Sequence, residues 1–290
     1  MSKDVLFLIN PASGNGATGR RWPALHRRAA ALGLDGDVVL SESPGDLARA
    51  ARDASGLLVV VGGDGTVNEV VNSGTKSEIA VLPNGTGQDF GRTYGIPSDF
   101  DAAVRVALNG TMRAVDLGHV AYQGGERYFA NVGSAGMSGA VAERANHTSK
   151  ALGGKITFFY VLTRVFLRWQ NTEVTVTLDD GERRGRMHDV IVANGVWHGG
   201  GMKLAPDAKP DDGKFDVVLI GDVSKADFLT TAPKLYSGGH LAHPKVEVLR
   251  SARVVVEGDA LPIEVDGEQL GTTPATFTVV PGALRVRVPT

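Results

Sequence analysis

The stretch that decides the fold reads Leu57-Leu-Val-Val-Val61, then Gly62-Gly-Asp-Gly-Thr66, then Val67-Asn-Glu-Val-Val71. Five consecutive apolar residues predict a strand that is buried on both faces, and the segment after the glycines predicts a helix. Thr66 and Glu69 have the spacing of a capping box, so we expect the helix to begin at Thr66. A buried strand that turns sharply into a helix is typical of a parallel α/β sheet.

Strand and helix patterns alternate on both sides of this stretch, through about residue 115. Strands are predicted at Val5–Ile9, Val38–Leu40 and Ile79–Leu82, and helices at Arg20–Leu32 and Ser98–Asn109. Ser43-Pro-Gly-Asp46 predicts one further helix start, with Ser43 as its N-cap. Because such spacing indicates right-handed βαβ units, we expect residues 1–115 to form a three-layer α/β domain with a parallel sheet.

Strands of alternating polarity replace this pattern after about Asp116. They are predicted at Glu173–Leu178, His188–Val192, Lys214–Ile220, Lys245–Leu249, Arg253–Glu257, Leu261–Val265, Ala275–Val280 and Leu284–Val288. Turn sequences such as Asp266-Gly267 separate the strands, and two helices are predicted at about Gly154–Gln170 and Lys225–Ser237. The spacing favours an antiparallel β-sandwich-like domain that carries two helices, over residues 116–281. We expect the two domains to pack closely and to share a cleft.

Composition excludes several classes of function. The 290 residues carry 30 Lys and Arg against 32 Asp and Glu, which argues against a nucleic-acid partner. The absence of cysteine excludes disulfides, thiolate zinc sites and cysteine nucleophiles. The first apolar run, Val5–Ile9, is shorter than a signal peptide requires, and no run reaches the ~18–20 residues of a membrane span. We therefore expect a cytoplasmic protein with at most peripheral membrane contact.

Three glycine-bearing loops are predicted at one edge of the parallel sheet. They are Asn10–Gly14, Gly62–Thr66 and Pro83–Phe90, and each follows a strand. Glycines at a helix start let a phosphate approach backbone N–H groups, so the loops predict a nucleotide pocket, although each could be a plain turn. The negative charge of Asp64 beside a phosphate is accounted for only if Mg²⁺ is bound there or if Asp64 accepts a proton. The spacing matches neither a Rossmann fingerprint nor a Walker loop.

Five motifs lie along the chain from Asn10 to about Pro281. They are Asn10-Pro-Ala-Ser-Gly14, Gly62-Gly-Asp-Gly-Thr66, Gly85-Thr86 with Asp89-Phe90, Asp116-x-Gly118 and Asp266-Gly-Glu268. Together they resemble the diacylglycerol kinase catalytic family, and most of all its soluble bacterial lipid kinases. The Gly-Gly-Asp-Gly-Thr element alone is also typical of NAD kinases. The resemblance implies transfer of the ATP γ-phosphate to a lipid hydroxyl, with Mg²⁺ present, and a last strand at about 282–290 that returns to the first domain.

The resemblance also implies which residues bind and react. Nucleotide contacts would come from Asn10, Pro11, Ala12, Ser13, Gly14, Ser41, Gly62, Gly63, Asp64, Gly65, Thr66, Val67, Asn68, Glu69 and Thr86. Glu268 is the candidate proton acceptor and Asp64 the rival base. Asp64 and Asp89 would hold Mg²⁺ directly or through water, and Asp116 would support that network. A proton acceptor and compensated phosphate charge are what phosphoryl transfer requires.

A second acidic loop is implied to hold a structural Mg²⁺. The ligands would be the Asp212 side chain and the carbonyls of Lys209 and Lys214, and a metal-free Asp-Asp-Gly hairpin is the alternative. The chain departs from the family pattern at Asn15, where relatives often carry Lys, and at Gln88, where they often carry Asn. Both departures leave the kinase interpretation standing and put the acceptor lipid in doubt.

Other features leave alternatives open. The apolar segment Ile156–Trp169 is interpreted as an amphipathic helix that packs on the sandwich, or as a wall for acyl chains. The segment Trp197–Met202 could be a mobile segment that covers a lipid headgroup. The sequence is also compatible with a homodimer. Two rival functions remain, an NAD kinase and a non-catalytic nucleotide- or lipid-binding regulator.

Overall fold

The computed structural model describes residues 4–85, 87–146 and 154–290, and the chain forms two compact units. The first unit contains the residues up to Leu117 together with Pro281–Thr290, and the second is Gly118–Val280. Among the described residues no helix is both long and apolar enough to cross a lipid bilayer.

Strands and helices alternate in the first unit. The strands are β1 (Val5–Ile9), β2 (Asp37–Leu40), β3 (Leu57–Gly62), β4 (Glu78–Pro83) and β5 (Thr111–Tyr122), the last of which continues into the second unit. The helices are α1 (Ala17–Ala31), α2 (Asp46–Asp53), α3 (Asp64–Val71), α4 (Asp89–Thr93) and α5 (Phe100–Asn109).

In the first unit β2, β1, β3 and β4 are neighbours in that order, and these four strands are parallel. The side chains of Phe7, Leu8, Leu58 and Val59 are fully buried, because β1 and β3 are covered on both faces. The predicted α/β class with a parallel sheet is confirmed.

Two predicted helix starts are wrong, for related reasons. Helix α3 begins at Asp64, two residues before the predicted capping box. The Glu69 carboxylate instead accepts N–H groups at the start of α2, from Gly45 and Leu47 at 3.0 Å each. Helix α2 in turn begins at Asp46 after Gly45, so Ser43 is not its N-cap. The capping acid is supplied by a neighbouring helix, which a local pattern does not reveal.

The second unit is rich in antiparallel strands. After β6 (Gly125–Phe129), β7 (Val132–Gly136), β8 (Thr172–Leu178) and β9 (Gly181–Met187) come β10 (Asp189–Ala193), β11 (Trp197–His198), β12 (Met202–Lys203), β13 (Phe215–Ile220), β14 (Val246–Ser251), β15 (Arg253–Gly258), β16 (Pro262–Val265), β17 (Glu268–Thr272) and β18 (Ala275–Val288). The helices are α6 (Met137–Asn146), α7 (Gly154–Arg168) and α8 (Lys225–Thr231), with 3₁₀ turns at Ala232–Tyr236 and Gly239–Ala242.

Two antiparallel sheets share one core in this unit. One has the order β14-β13-β10-β7-β16-β17, and the other contains β18-β15-β8-β9. Val176 of β8, Val192 of β10, Phe215 of β13 and Phe277 of β18 are fully buried in the same cluster. The expected antiparallel, sandwich-like architecture is confirmed.

Three details of this unit differ from prediction. The segments Ala275–Val280 and Leu284–Val288 form one continuous strand, β18. The helix predicted to reach Ser237 ends at Thr231 and continues as a 3₁₀ turn with Pro233 at its start, because proline donates no N–H bond. Helix α6 was not predicted, since its sequence lacks a clear apolar stripe.

Candidate active site

Three loops meet at the carboxyl edge of the parallel sheet. The hydroxyls of Ser13 and Thr18 donate to the Asn84 carbonyl, at 3.3 and 3.0 Å. The Asn84 N–H donates to the Gly62 carbonyl at 2.9 Å. Asn10 Oδ1 accepts the Ala12 N–H at 3.0 Å, which shapes the first loop. The structure therefore brings together the loops after β1, β3 and β4, as the sequence predicts.

The glycines of these loops make close backbone contact possible. A Cβ atom on Gly85 would lie 2.6 Å from the Cα of Gly63. A side chain at Gly85 would therefore prevent the two loops from approaching each other this closely. A Cβ on Gly65 would meet nothing within 4 Å. Open space therefore lies beside Gly65, in the first turn of α3, where the N–H groups and the helix dipole favour an anion.

The first loop has an unusual backbone. Gly14, Asn15 and Gly16 have φ values of 60°, 57° and 78°, all in the left-handed region. Asparagine tolerates this region better than lysine does, because its short amide can bond locally. The local conformation thus accounts for Asn15. Gln88 also has a left-handed φ, of 60°, immediately before α4.

Asp64 and Asp89 both lie at the first turn of α4. Asp64 Oδ1 accepts the Phe90 N–H at 2.9 Å, in the first turn of that helix. Asp89 is 5% exposed and pairs with Arg92 at 2.6 Å. The described residues contain no group of three or more acidic or histidine side chains that could hold a metal ion. Mg²⁺ is commonly bound by one or two carboxylates together with phosphate and water oxygens. Asp64 and Asp89 therefore suit Mg²⁺ only when a nucleotide supplies the phosphate oxygens.

Asp116 has a different environment from the other predicted acids. It lies on β5, is 4% exposed, and its Oδ1 accepts the Gly282 N–H at 2.8 Å. Both residues belong to the first unit, so this bond helps hold the returning end of β18.

Four further residues predicted to contact the nucleotide are buried or half-buried, namely Ser41, Val67, Asn68 and Glu69. The Ser41 N–H donates to Ile9 within the sheet, and its hydroxyl donates to Ser43 at 3.1 Å. The Val67 and Asn68 side chains are buried on α3, and Glu69 caps α2. Contacts from this part of α3 would therefore be made by its first turn. Thr86 lies outside the described residues.

Glu268 begins β17, immediately after the turn at Asp266 and Gly267. Its Oε2 lies 2.7 Å from Arg127 Nη2, and its side chain is 44% exposed. Asp266 has a left-handed φ of 48°, and its carboxylate accepts N–H groups of residues 130–132 at 2.8–3.1 Å. Arg127 was not predicted as a site residue, because it lies 141 residues before Glu268 and no local signal marks it.

The predicted structural metal loop contains a competing cation. Asp212 Oδ1 accepts the Lys214 N–H at 3.2 Å, and Oδ2 forms an ion pair with Arg250. Arg250 Nε also lies 3.8 Å from Asp216, whose pKa is raised by burial despite this guanidinium. Since Arg250 occupies one Asp212 oxygen, a cation bound by Asp212, Lys209 and Lys214 would have to share it. This metal site stays a prediction.

Part of α7 packs inside the second unit. Phe166 is 2% exposed and stacks on Phe228, with ring centroids 3.8 Å apart. The Lys225 ammonium donates to the carbonyls of Phe166 and Trp169 at the end of α7. These contacts favour the interpretation of α7 as a packed amphipathic helix. The side chains of residues 154–160 are not among those the structure describes.

Comparison with known proteins adds to this geometry. Residues 4–120 match the diacylglycerol kinase catalytic domain, and residues 131–288 match the YegS C-terminal NAD kinase beta sandwich-like domain. The chain is 28% identical to a diacylglycerol kinase of Staphylococcus carnosus, with 100% of this chain and 96% of that protein covered. It is 29% identical to a diacylglycerol kinase of Mycobacterium tuberculosis (strain H37Rv), with 98% and 95% covered.

Solved structures show the same fold. A crystal structure of a diacylglycerol kinase from Bacillus anthracis str. Sterne superposes with a TM-score of 0.73 at 22% identity, and the alignment covers 99% of this chain and 97% of that chain. The YegS-type domain alone accounts for more than half of the present chain, and the catalytic domain accounts for most of the rest. The chain therefore belongs to the diacylglycerol kinase family.

Proposed function

We propose that the protein is a lipid kinase that transfers the γ-phosphate of ATP to the hydroxyl of a diacylglycerol-like lipid. The observation that carries the proposal is the set of hydrogen bonds that joins the Asn10, Gly62 and Asn84 loops beside open space at Gly65. A glycine-lined helix start at the carboxyl edge of a parallel sheet suits a nucleotide phosphate. Membership of the diacylglycerol kinase family supports ATP as donor and a lipid as acceptor.

The residues of the first unit would bind and orient ATP. Backbone N–H groups of Gly63–Gly65 would donate to phosphate oxygens, while Asn10–Gly14 would form the facing wall of the pocket. Asp64 and Asp89 would hold Mg²⁺, which, when bound, supplies positive charge against the phosphates. Asp116 would contribute indirectly, because it holds the backbone at Gly282.

Glu268 would accept the proton of the lipid hydroxyl. The hydroxyl oxygen then attacks the γ-phosphorus, the bond from that phosphorus to the bridging oxygen of ATP breaks, and ADP leaves. Arg127 would hold the Glu268 carboxylate in one orientation through their 2.7 Å contact. Asp64 is the alternative proton acceptor, although it already accepts the Phe90 N–H. Because the acceptor is a lipid, the protein would act in peripheral contact with a membrane surface.

The test is incorporation of label into lipid. Purified protein is incubated with γ-labelled ATP, Mg²⁺ and a total lipid extract, and label in the organic phase is measured. Asp64→Asn and Glu268→Gln should lose at least 90% of that label. The exposed acids Asp53 and Glu257 provide matched controls, since Asp53→Asn and Glu257→Gln should retain it.

Two results would overturn the proposal. Phosphorylation of NAD⁺ in the aqueous phase, without labelled lipid, would establish the alternative, an NAD kinase. That alternative draws support from the match of residues 131–288 to an NAD kinase-like sandwich. ATP binding without turnover in either phase would instead indicate a non-catalytic regulator.

A further inference from the structure

Glu264 is a buried acid that contacts the turn leading to Glu268. It lies on β16 and is 1% exposed. Its Oε2 accepts the Ser134 hydroxyl at 2.9 Å, and its Oε1 accepts the Gly267 N–H at 2.6 Å. Because Gly267 immediately precedes Glu268, the Glu264 carboxylate restrains the backbone from which the Glu268 side chain projects.

The His198 side chain contacts this acid. Its Nε2 lies 3.4 Å from Glu264 Oε1, and its side chain is 14% exposed. Burial raises the pKa of Glu264, and His198 acts in the opposite direction. Asp189 is also near, and burial raises its pKa to about 7. His198 Nε2 is thus in direct contact with the same carboxyl oxygen that accepts the Gly267 N–H.

The His198 side chain also ties a glycine loop to the turn. Gly199, Gly200 and Gly201 follow it with φ values of 63°, 81° and 112°, which are accessible to glycine at little cost. Three glycines in sequence would sample many conformations if nothing restrained them. The contact with Glu264 fixes the β11 end of this loop.

We propose that His198 and Glu264 are positioning residues whose contact joins the Gly199–Gly201 loop to the Asp266–Gly267 turn and sets the orientation of the Glu268 carboxylate. The inference rests on the proposed role of Glu268 as proton acceptor. Asp266 holds the same turn through the N–H groups of residues 130–132, so the turn is restrained from two sides. The Glu264 side of this restraint reaches the glycine loop through His198.

The effect should fall on turnover rather than on nucleotide affinity. A displacement of about 1 Å at a reacting group can cost ~100-fold, so we expect His198→Phe to lower kcat by about 10- to 100-fold. Glu264→Gln retains an oxygen for the Gly267 N–H but replaces the oxygen pair by an amide, so it should lower kcat by a similar or smaller factor. The double variant should be no worse than the poorer single variant, because both remove one interaction. KM for ATP should stay within about twofold in all three.

Two controls separate positioning from loss of structure. His188 is another buried imidazole of the second unit and bonds Asn171, so His188→Gln should lower the melting temperature and leave kcat within about twofold. His198→Gln retains an N–H donor and should recover part of the kcat that His198→Phe loses.

The decisive measurement uses the Glu268→Gln background. If His198 acts through Glu268, adding His198→Phe to Glu268→Gln should change kcat by less than about twofold. An equal loss in both backgrounds would overturn the inference, as would a wild-type kcat in His198→Phe. A fully active Glu268→Gln variant would instead remove the proposed proton acceptor, and the inference with it.

Discussion

Replacement of Glu69 distinguishes a helix cap from a nucleotide contact. Glu69 Oε1 accepts the N–H groups of Gly45 and Leu47 at 3.0 Å and of Ala48 at 3.4 Å. These are donors at the start of α2 that the helix itself cannot satisfy. Glu69→Ala removes the acceptor for all three, whereas Glu69→Gln keeps a neutral oxygen at the same place.

The expected loss follows from these contacts. Substitution of a capping acceptor costs about 0.5–2 kcal/mol, and a hydrogen bond to a charged group is worth about 1.5–3 kcal/mol. Water can replace the acceptor at Gly45 in part, because Gly45 is only half-buried. We therefore expect Glu69→Ala to lower the free energy of unfolding of α2 by about 2 kcal/mol, and Glu69→Gln by less than about 1 kcal/mol.

Hydrogen exchange measures this loss where it occurs. A change of ~2 kcal/mol corresponds to about 30-fold faster exchange of the α2 amides through local opening, and KM for ATP should stay within about twofold. Unchanged exchange in Glu69→Ala together with a tenfold rise in KM for ATP would refute the capping role. Glu69 would then be a nucleotide contact, as the family resemblance implies.

Three further predictions test other features. Gly85→Ala should lower the melting temperature and abolish ATP binding, because its Cβ would clash with Gly63. Gly65→Ala should leave the fold intact and raise KM for ATP. Equal melting temperatures for the two variants would contradict the predicted clash. Burial and the nearby Lys225 ammonium lower the pKa of His188 to about 4 in the folded protein. In the unfolded chain the same imidazole has a pKa near 6.5, so it binds a proton there first as the pH falls. The free energy of unfolding from urea titrations should thus fall by about 2 kcal/mol more in the wild type than in His188→Phe between pH 7.5 and pH 5. Lys225→Met should destabilise the fold by about 1–2 kcal/mol through loss of the α7 carbonyl contacts, and should raise the His188 pKa in an NMR titration; an unchanged pKa would contradict the charge effect.

The fully buried strands could be predicted from sequence alone. Five apolar residues such as Leu57–Val61 require burial on both faces, whatever their partners are, and the glycines that follow indicate the turn. Strand β9 could not be predicted, because Gly181–Met187 is mostly polar and becomes a strand by pairing with β8 at the edge of a sheet. Its backbone partner, rather than its own side chains, determines its conformation.

In the candidate site, too, some features could be predicted from the sequence and others could not. The loops around Asn10 and Gly62 were predictable because parallel strands end at one edge, so their motifs must meet there. The contact of Arg127 with Glu268 joins strands 141 residues apart, and the caps on α2 come from another helix. Such contacts depend on register and packing, which no short motif contains.

The path of β18 has a consequence for synthesis on the ribosome. The last part of this strand pairs with β4 of the first unit, and Arg285 contacts Glu78 across 207 residues of sequence. At about 5–20 residues per second, translation leaves the β4 edge without this partner for roughly 10–40 s. An unpaired strand edge is a template for aggregation, so the nascent chain is most vulnerable in that interval. Slow codons or a chaperone that acts between β4 and β18 should therefore alter the yield of soluble protein more than the same change placed before β1.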